Sequence, residues 1–486
     1  MKRIISLLLV ILLLGTALIG CKKDKEENPA NSTPSGSSAE EEFFPVIEKQ
    51  DAWNGKVFNI MYPMWSLYQR YYFALEQNGE LINDANYERQ MAIKDYLGVN
   101  IVGLPITAEG STAPIHVVDN NIKKAAMSGE DPYQLVLTHC FVGVAGNIQS
   151  GNLLDFGSVK NLTLDQSYWR KDSMEDLSVK GKMYVGSGKF LLYDPCVTVF
   201  NKDMLANADT SFKVDDVYQL VRDKKWTIAN LKTYASAISA DANEGVEAGE
   251  GTYGYVCNNE WEISSFMAAS NYFVASRDSK GTYVATAFTQ TVHDIFVDVK
   301  SLFDAPYTYN YVNNSENISG NIVREGRSMF GVMGLMAAMD AISNSDYKIG
   351  ILPVPATSEG LEVQTLDWAG FMVIPVSVLD PDLSGAVSEL LCYYGEKLLY
   401  PAFYDKLLGT RTAENYADAE MLDIIFASMV SDPGLAFNAT SDNLYQLFYM
   451  FSTLIGKNNS DVSSFMNTYV KGASKQLAKV TKVAKK

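Results

Sequence analysis

The sequence predicts an α/β fold. Three observations carry the prediction. In the first third of the chain, apolar segments of strand length alternate with amphipathic segments of helix length, with Gly and Pro at the joints. Their order is strand–helix–strand–helix–strand, which marks an open α/β sheet. The chain has 486 residues, 47% of them hydrophobic, enough for a large core and for two or three domains.

Taken in order, residues 56–62 (Lys-Val-Phe-Asn-Ile-Met-Tyr) alternate and read as a strand ending at Pro63. Residues 84–97 read as a helix, with Asp84 as N-cap and Gly98 as its stop. Residues 99–102 form a short strand, 115–127 a second helix stopped near Gly129, and 133–138 a buried strand. Further on, 182–185 and 195–200 read as extended. Trp226-Thr227 opens a helix whose Leu231, Tyr234, Ala235 and Ile238 share one face. Residues 253–256 read as a strand and 263–274 as a helix. Residues 328–333 and 348–353 read as strands, and 371–374 as another. Asp380-Pro381 places an N-cap before a proline at the first helical position, and Pro401 is expected to end that helix. The remainder reads as helical, closing on a Lys-rich stretch at 471–486 that suits a helix C-terminus or a solvated end.

The N-terminus carries a different signal. Lys2 and Arg3 precede an apolar stretch at 4–14, too short to span a bilayer comfortably. Leu18-Ile19-Gly20-Cys21 follows, and this order resembles the lipobox of bacterial lipoproteins. The resemblance implies cleavage before Cys21 and a diacylglyceryl group on its sulfur. Each buried methylene contributes about 0.8 kcal/mol, and two chains hold a protein where one does not. Residues 22–45 are rich in Ser, Glu, Asn, Pro and Lys and cannot bury enough apolar surface to order themselves. As a coil they would span on the order of 25–30 Å. A signal peptide at 1–20 and a lipidated, tethering segment at 21–45 are therefore expected.

The formal charge of −17 argues against a nucleic-acid partner, which needs a basic face. Cys140, Cys196, Cys257 and Cys392 are far apart and in apolar contexts, which favours buried free thiols over disulfides. His116, His139 and His293 are scattered, and no zinc spacing occurs. The acidic run Asp241-Ala242-Asn243-Glu244-Gly245 misses the calcium-loop pattern because its glycine comes one place early. No metal and no cofactor is expected.

Several phrases resemble the extracellular solute-binding proteins of carbohydrate ABC transporters. Tyr87-Glu88-Arg89 through Leu97-Gly98-Val99 is similar to their first helix and second strand. Ser128-Gly129-Glu130-Asp131-Pro132-Tyr133-Gln134-Leu135-Val136 and Gly151-Asn152-Leu153-Leu154-Asp155 follow in the same order. Phe200-Asn201-Lys202-Asp203-Met204-Leu205 resembles the phrase just past that family's first crossing between lobes, and Lys225-Trp226-Thr227 resembles the opening of the helix after it. Glu325-Gly326-Arg327-Ser328-Met329-Phe330 and Ile349-Gly350-Ile351-Leu352-Pro353-Val354-Pro355 resemble the return to the first lobe. The resemblance covers about residues 55–430. It implies a two-lobed, periplasmic-binding-protein-like (type II) fold with a ligand cleft between the lobes. Residues 46–190 and 320–372 would form lobe 1, and 191–319 and 373–486 lobe 2. It also implies a monomer that binds a saccharide, catalyses nothing, and delivers its ligand to a membrane permease.

The sheet itself locates the site. Ligands of open α/β sheets lie beyond the carboxyl ends of strands, and interdomain clefts are favoured. The first strand delivers Tyr62, Met64 and Trp65, and the strand ending at Thr138 delivers His139, Cys140 and Phe141. The strand ending near Met333 delivers Gly334, and 253–256 delivers Asn258, Asn259, Glu260 and Trp261. Asp367 and Trp368 precede the strand at 371–374. Aromatic rings cover the apolar faces of a sugar, and carboxylates and amides satisfy its hydroxyls. Glu260-Trp261 and Asp367-Trp368 place both chemistries side by side. Each aromatic residue also suits ordinary packing, His139 a satisfied loop position, and Glu260 the acidic first turn of a helix. Two other functions stay open: a sensor presenting its ligand to a receptor, and an exported carbohydrate-active enzyme with two opposed carboxylates. No Gly-x-Ser-x-Gly elbow, zinc helix or phosphate loop is present.

Overall fold

The computed structural model describes residues 43–64, 73–109, 113–139, 144–208, 211–238, 249–257, 260–310, 318–366, 368, 370–409, 416–438 and 442–482. The chain divides into two units, Met1–Phe44 and Pro45–Lys486. Cys21 and the tether up to residue 42 fall outside the described residues. In chain order the strands of the second unit begin with β1 (Val57–Pro63), β2 (Asn100–Ile106), β3 (Leu135–His139), β4 (Cys196–Asn201) and β5 (Tyr253–Cys257). There follow β6 (Ala275–Arg277), β7 (Tyr283–Ala285), β8 (Thr308–Asn310), β9 (Ser328–Gly334) and β10 (Ile349–Pro353). Last come β11 (Thr365–Leu366), β12 (Gly370–Val373) and β13 (Met429–Val430).

Two larger sheets organise these strands. The first runs β12-β3-β1-β2, the second β10-β4-β9-β5-β8. β1 is parallel to β2 and β3, while β12 is antiparallel to β3. In the second sheet β5 is parallel to β8 and β9, whereas β4 is antiparallel to β9 and β10. The central strands are apolar throughout because helices cover both faces: every residue of β3, β5 and β9 is buried.

Helix boundaries follow local chemistry. The first long helix is Leu81–Leu97, and its N-cap is Glu80, whose carboxylate accepts from the Asn83 N–H. The expected cap, Asp84, lies a turn inside and accepts instead from the N–H groups of Asn78 and Gly79. Gly98 ends the helix as expected. It has φ 74°, and a Cβ there would sit 2.7 Å from Asn54 Oδ1, so the position excludes a side chain twice over. Thr227 caps Ile228–Ala235, and Asp380 caps Pro381–Tyr394. Pro401 does not end that helix. A π-turn at Gly395–Leu399 leads directly into Tyr400–Leu408 with Pro401 in its first turn. The wider turn re-registers the backbone hydrogen bonds so that the missing proline N–H falls where a new helical segment starts. Gly395 also lies against the Lys189 carbonyl, where a Cβ would sit at 1.8 Å.

The lobe boundaries differ from the expected ones. Residues 320–372 do not all belong with the first sheet, because β9 and β10 pair with β4 and β5 in the second. Only β12 returns to the first sheet. The helices at 381–408 pack with the first lobe. Trp53 Nε1 donates to Asp380 Oδ2 at 3.0 Å, Ser384 Oγ to the Gln134 carbonyl at 2.8 Å, and Tyr400 Oη to the Leu191 carbonyl at 3.3 Å. Helix Tyr416–Ala427 then covers β10, where buried Asp418 accepts from the Ile351 N–H at 3.0 Å and from Tyr218 and Lys202. The helix that carries Phe448 packs on the second lobe, where Ser264 Oγ donates to the Phe448 carbonyl at 2.7 Å, and the C-terminal helix Val462–Val480 also touches Val144–Gln149 of the first. Between the lobes, β11 pairs with β13 in a two-stranded ribbon. Sequence spacing could not settle these assignments, because a strand's sheet is decided by its partners.

One buried carboxylate ties the first lobe together. Glu389, in the middle of Pro381–Tyr394, is fully buried. It accepts from Tyr168 Oη at 2.6 Å, Trp169 Nε1 at 2.8 Å and the Thr163 N–H at 3.0 Å. Trp169 is thus a buried packing residue. So is Trp226, whose Nε1 donates to the Pro353 carbonyl at 2.9 Å. Cys196, Cys257 and Cys392 are buried free thiols, and burial raises the pKa of Cys196 and Cys392 well above the ordinary thiol range. Glu389→Ala orphans two buried donors and the half-buried Thr163 N–H, and is expected to lower the unfolding free energy by about 3 kcal/mol. Denaturant titration of the two proteins measures it, with Glu389→Gln, which keeps an acceptor, losing less.

Candidate functional site

The register of the strands brings distant residues to one place. His139, the last residue of β3, pairs with Gly370, the first of β12. Trp368 lies two residues before Gly370, so it must sit near His139. The rings meet edge to face, with centroids 5.4 Å apart and planes at 68°. In the second sheet, Cys196 at the start of β4 pairs with Gly334 at the end of β9. Asp194, two residues before Cys196, therefore lies beside the start of helix Leu335–Ser343. Its Oδ1 accepts from the Met336 N–H at 2.7 Å. The carboxylate is buried and supplies the cap that Gly334, the N-cap residue, has no side chain to give.

Trp261 joins the two groups. It follows β5 in helix Glu260–Ala269, and its indole stacks on Trp368 with centroids 4.8 Å apart and planes 20° apart. Trp368 also stacks on Phe448, with centroids at 6.1 Å. One indole thus touches His139 of the first lobe and Trp261 and Phe448 of the second. Pairs of this kind contribute about 0.5–1.5 kcal/mol each beyond area burial. Gly334 permits the arrangement. A Cβ there would lie 2.7 Å from Asp194 Oδ2 and 3.0 Å from the far edge of the Trp261 indole.

Exposure divides the roles. Trp368 is 5% exposed and offers almost nothing to solvent, whereas Trp261 is half-buried. Glu260 is the first residue of its helix, where its charge favours the N-terminal dipole, and partial desolvation raises its pKa. Tyr62, at the end of β1, is buried and stacks on Phe73 at 5.4 Å. Burial raises its phenol pKa. Trp65, Phe141, Asn259 and Asp367 lie outside the described residues, as do Cys140 and the acidic run at 241–245. Among the described residues no group of three or more His, Cys, Asp or Glu is placed to hold a metal, and no helix is long and apolar enough to cross a membrane.

The structure therefore brings His139, Trp261, Gly334 and Trp368 together. It adds Asp194 and Phe448, which the sequence reading missed. The signal for Asp194 was Asp194-Pro195 directly before a wholly buried strand. For Phe448 it was the aromatic density of Asn443-Leu444-Tyr445-Gln446-Leu447-Phe448-Tyr449, read only as helix. Gly334 also belongs to the second lobe, not the first, since β9 pairs with β4.

No family model and no curated protein sequence matches the chain. Solved structures do. An ABC transporter solute-binding protein from Thermotoga lettingae bound with α-D-tagatose has a TM-score of 0.58 at 12% identity, over 87% of this chain and 100% of that one. The GacH receptor of Streptomyces glaucescens, solved unliganded and with acarbose, has a TM-score of 0.57 at 16% identity, over 87% and 98%. A solute-binding protein from Agrobacterium radiobacter in complex with ribitol has 0.52 at 12%, over 87% and 99%. At these identities the likeness is one of fold: the chain has the two-lobed architecture of the type II solute-binding proteins.

Burial gives His139 a measurable signature. Desolvation pushes its pKa down to about 3, from the usual 6.5. Between those values the unfolded chain binds the proton and the native chain does not, so native stability falls as pH drops from 6.5 towards 3. The contribution is at most about 1.4 kcal/mol per pH unit. His139→Asn should remove this component, read as a flatter slope of unfolding free energy against pH than that of the parent.

Proposed function

We propose that the protein is an extracytoplasmic solute receptor. It binds a saccharide between its lobes, acts as a monomer, carries out no reaction on the ligand, and passes it to an ABC permease. The observation that carries the reading is the half-exposed Trp261 indole, backed by buried Trp368, at the carboxyl ends of strands from two sheets. An indole face held rigidly from behind suits the C–H face of a pyranose or an extended polyol, and costs little entropy on binding. Glu260 beside it supplies an acceptor for hydroxyl groups. Trp65, Phe141, Asn259 and Asp367 complete the site in this reading, from the stretches of sequence that follow β1, β3 and β5 and precede β12. The structures that share the fold hold tagatose, acarbose and ribitol, all polyhydroxylated.

The lipobox-like Cys21 supports placement of the receptor on a membrane. A diacylglyceryl anchor raises the concentration of receptor at its permease without a strong interface between them. Labelling cells with a fatty-acid analogue should mark the parent and not Cys21→Ser, which should also leave the membrane fraction. Label retained on Cys21→Ser would sink the anchor.

A thermal-shift series against mono- and oligosaccharides and sugar alcohols tests the ligand class, because a ligand that binds only the native state raises the melting temperature. At least one is expected to do so. A response confined to amino acids, peptides or metal ions overturns the saccharide reading. Trp261→Ala should weaken the responding sugar by about tenfold, roughly 1.4 kcal/mol. Parent-like affinity in both Trp261→Ala and Trp65→Ala would discard this site.

A further inference from the structure

We infer that the C-terminal helix carries a binding face for anionic lipid headgroups, so that the body docks on the membrane by one defined side. The chain as a whole is acidic, with 57 Asp and Glu against 40 Lys and Arg. From Val462 to the end it reverses. That stretch contains no Asp or Glu and six lysines: Lys471, Lys475, Lys479, Lys482, Lys485 and Lys486. Helix Val462–Val480 is capped by Asp461, whose carboxylate accepts from the Ser464 N–H at 2.9 Å. Its buried residues are Val462, Met466, Ala473, Leu477 and Val480, which define one face.

The lysines occupy the opposite face. At about 100° per residue, Lys471, Lys475 and Lys479 fall within an arc of about 80°, about 1.5 Å of rise per residue makes the stripe roughly 12 Å long, and Lys482 follows just past the C-cap Thr481. All four are exposed, and none has an ion-pair partner among the described residues. Several lysines elsewhere in this body are neutralised locally, as Lys56 is by Asp380 at 2.9 Å, Lys202 by Asp418 at 2.6 Å, and Lys300 by Asp304 at 2.6 Å. Among the described residues, those left without a carboxylate, such as Lys213, Lys225 and Lys280, lie apart in sequence and do not form a helical stripe. Three unpaired ammonium groups in a row on the helix, with a fourth just past its end, complement a planar negative surface on an otherwise anionic protein. Long stems let the ammonium groups reach headgroup phosphates while the helix stays on its lobe. Attraction of this kind amounts to about fivefold in partitioning for each lysine at an anionic surface, and salt screens it. The inference rests on the proposed membrane location for its biological use, but the face can be tested without the anchor.

The experiment measures co-sedimentation of the full chain carrying Cys21→Ser, so that no acyl chain contributes. Vesicles are phosphatidylcholine alone or with about one-third phosphatidylglycerol. Binding should require phosphatidylglycerol and weaken with added salt. Lys471→Gln/Lys475→Gln/Lys479→Gln should lower partitioning at least about tenfold at low salt. A control of equal charge change on other exposed lysines, Lys213→Gln/Lys225→Gln/Lys280→Gln, should bind as the parent does, with both variants melting like the parent. Absence of any preference for anionic vesicles overturns the inference, and so does an equal loss in the two triple variants, which would assign the effect to net charge. The saccharide response is read separately, so its failure would leave the vesicle result standing.

Discussion

The pairing of β12 with β3 is the constraint on which the architecture rests. Gly370 meets His139 across a stretch of chain that has meanwhile built β4, β5, β8, β9 and β10 into a second sheet. A single polypeptide that leaves one sheet, completes most of another and then adds an antiparallel edge strand to the first must cross between lobes more than once. Loop closure over such a separation costs chain entropy, though the cost grows only slowly with length. It is offset by ladder hydrogen bonds and by the packing of Trp368, which the crossing deposits against His139. The lobes are thereby joined by chain that also carries candidate site residues.

The early part of this fold was legible because it is local. Residues 56–138 announce their strands and helices through period and punctuation, and β1, β2 and β3 with the helices between them stand within a few residues of the expected bounds. The Asp380-Pro381 start and the Gly98 stop were equally readable, because capping is decided by the residue at the cap. The lobe boundaries were not readable. β9 and β10 look like any buried strands, and nothing in Ser328–Gly334 tells which sheet will hydrogen-bond it. Pro401 misled for a related reason: a proline ends a regular α-helix, but a π-turn supported by Gly395 against the Lys189 carbonyl absorbs it.

The site shows the same division. Strand ends pointed to His139, Trp261, Gly334 and Trp368, since side chains just past a parallel strand converge on the same edge of the sheet. Asp194 and Phe448 escaped because their importance is relational. Asp194 matters because β4 runs antiparallel to β9 and brings it to the start of a helix that lacks a side-chain cap. Phe448 matters because its helix folds back over Trp368 from the far end of the chain. Tyr62 was placed by the same strand-end rule, yet its ring turns to Phe73.

The contact between Trp261 and Trp368 has an optical consequence. Two indoles with centroids 4.8 Å apart and planes 20° apart couple their electronic transitions. One ring rides on the helix after β5, the other on the segment entering β12, so the coupling depends on how the two lobes are set. Circular dichroism and intrinsic fluorescence of this chain therefore register lobe separation through its own side chains, and the molecule reports its conformation without a label.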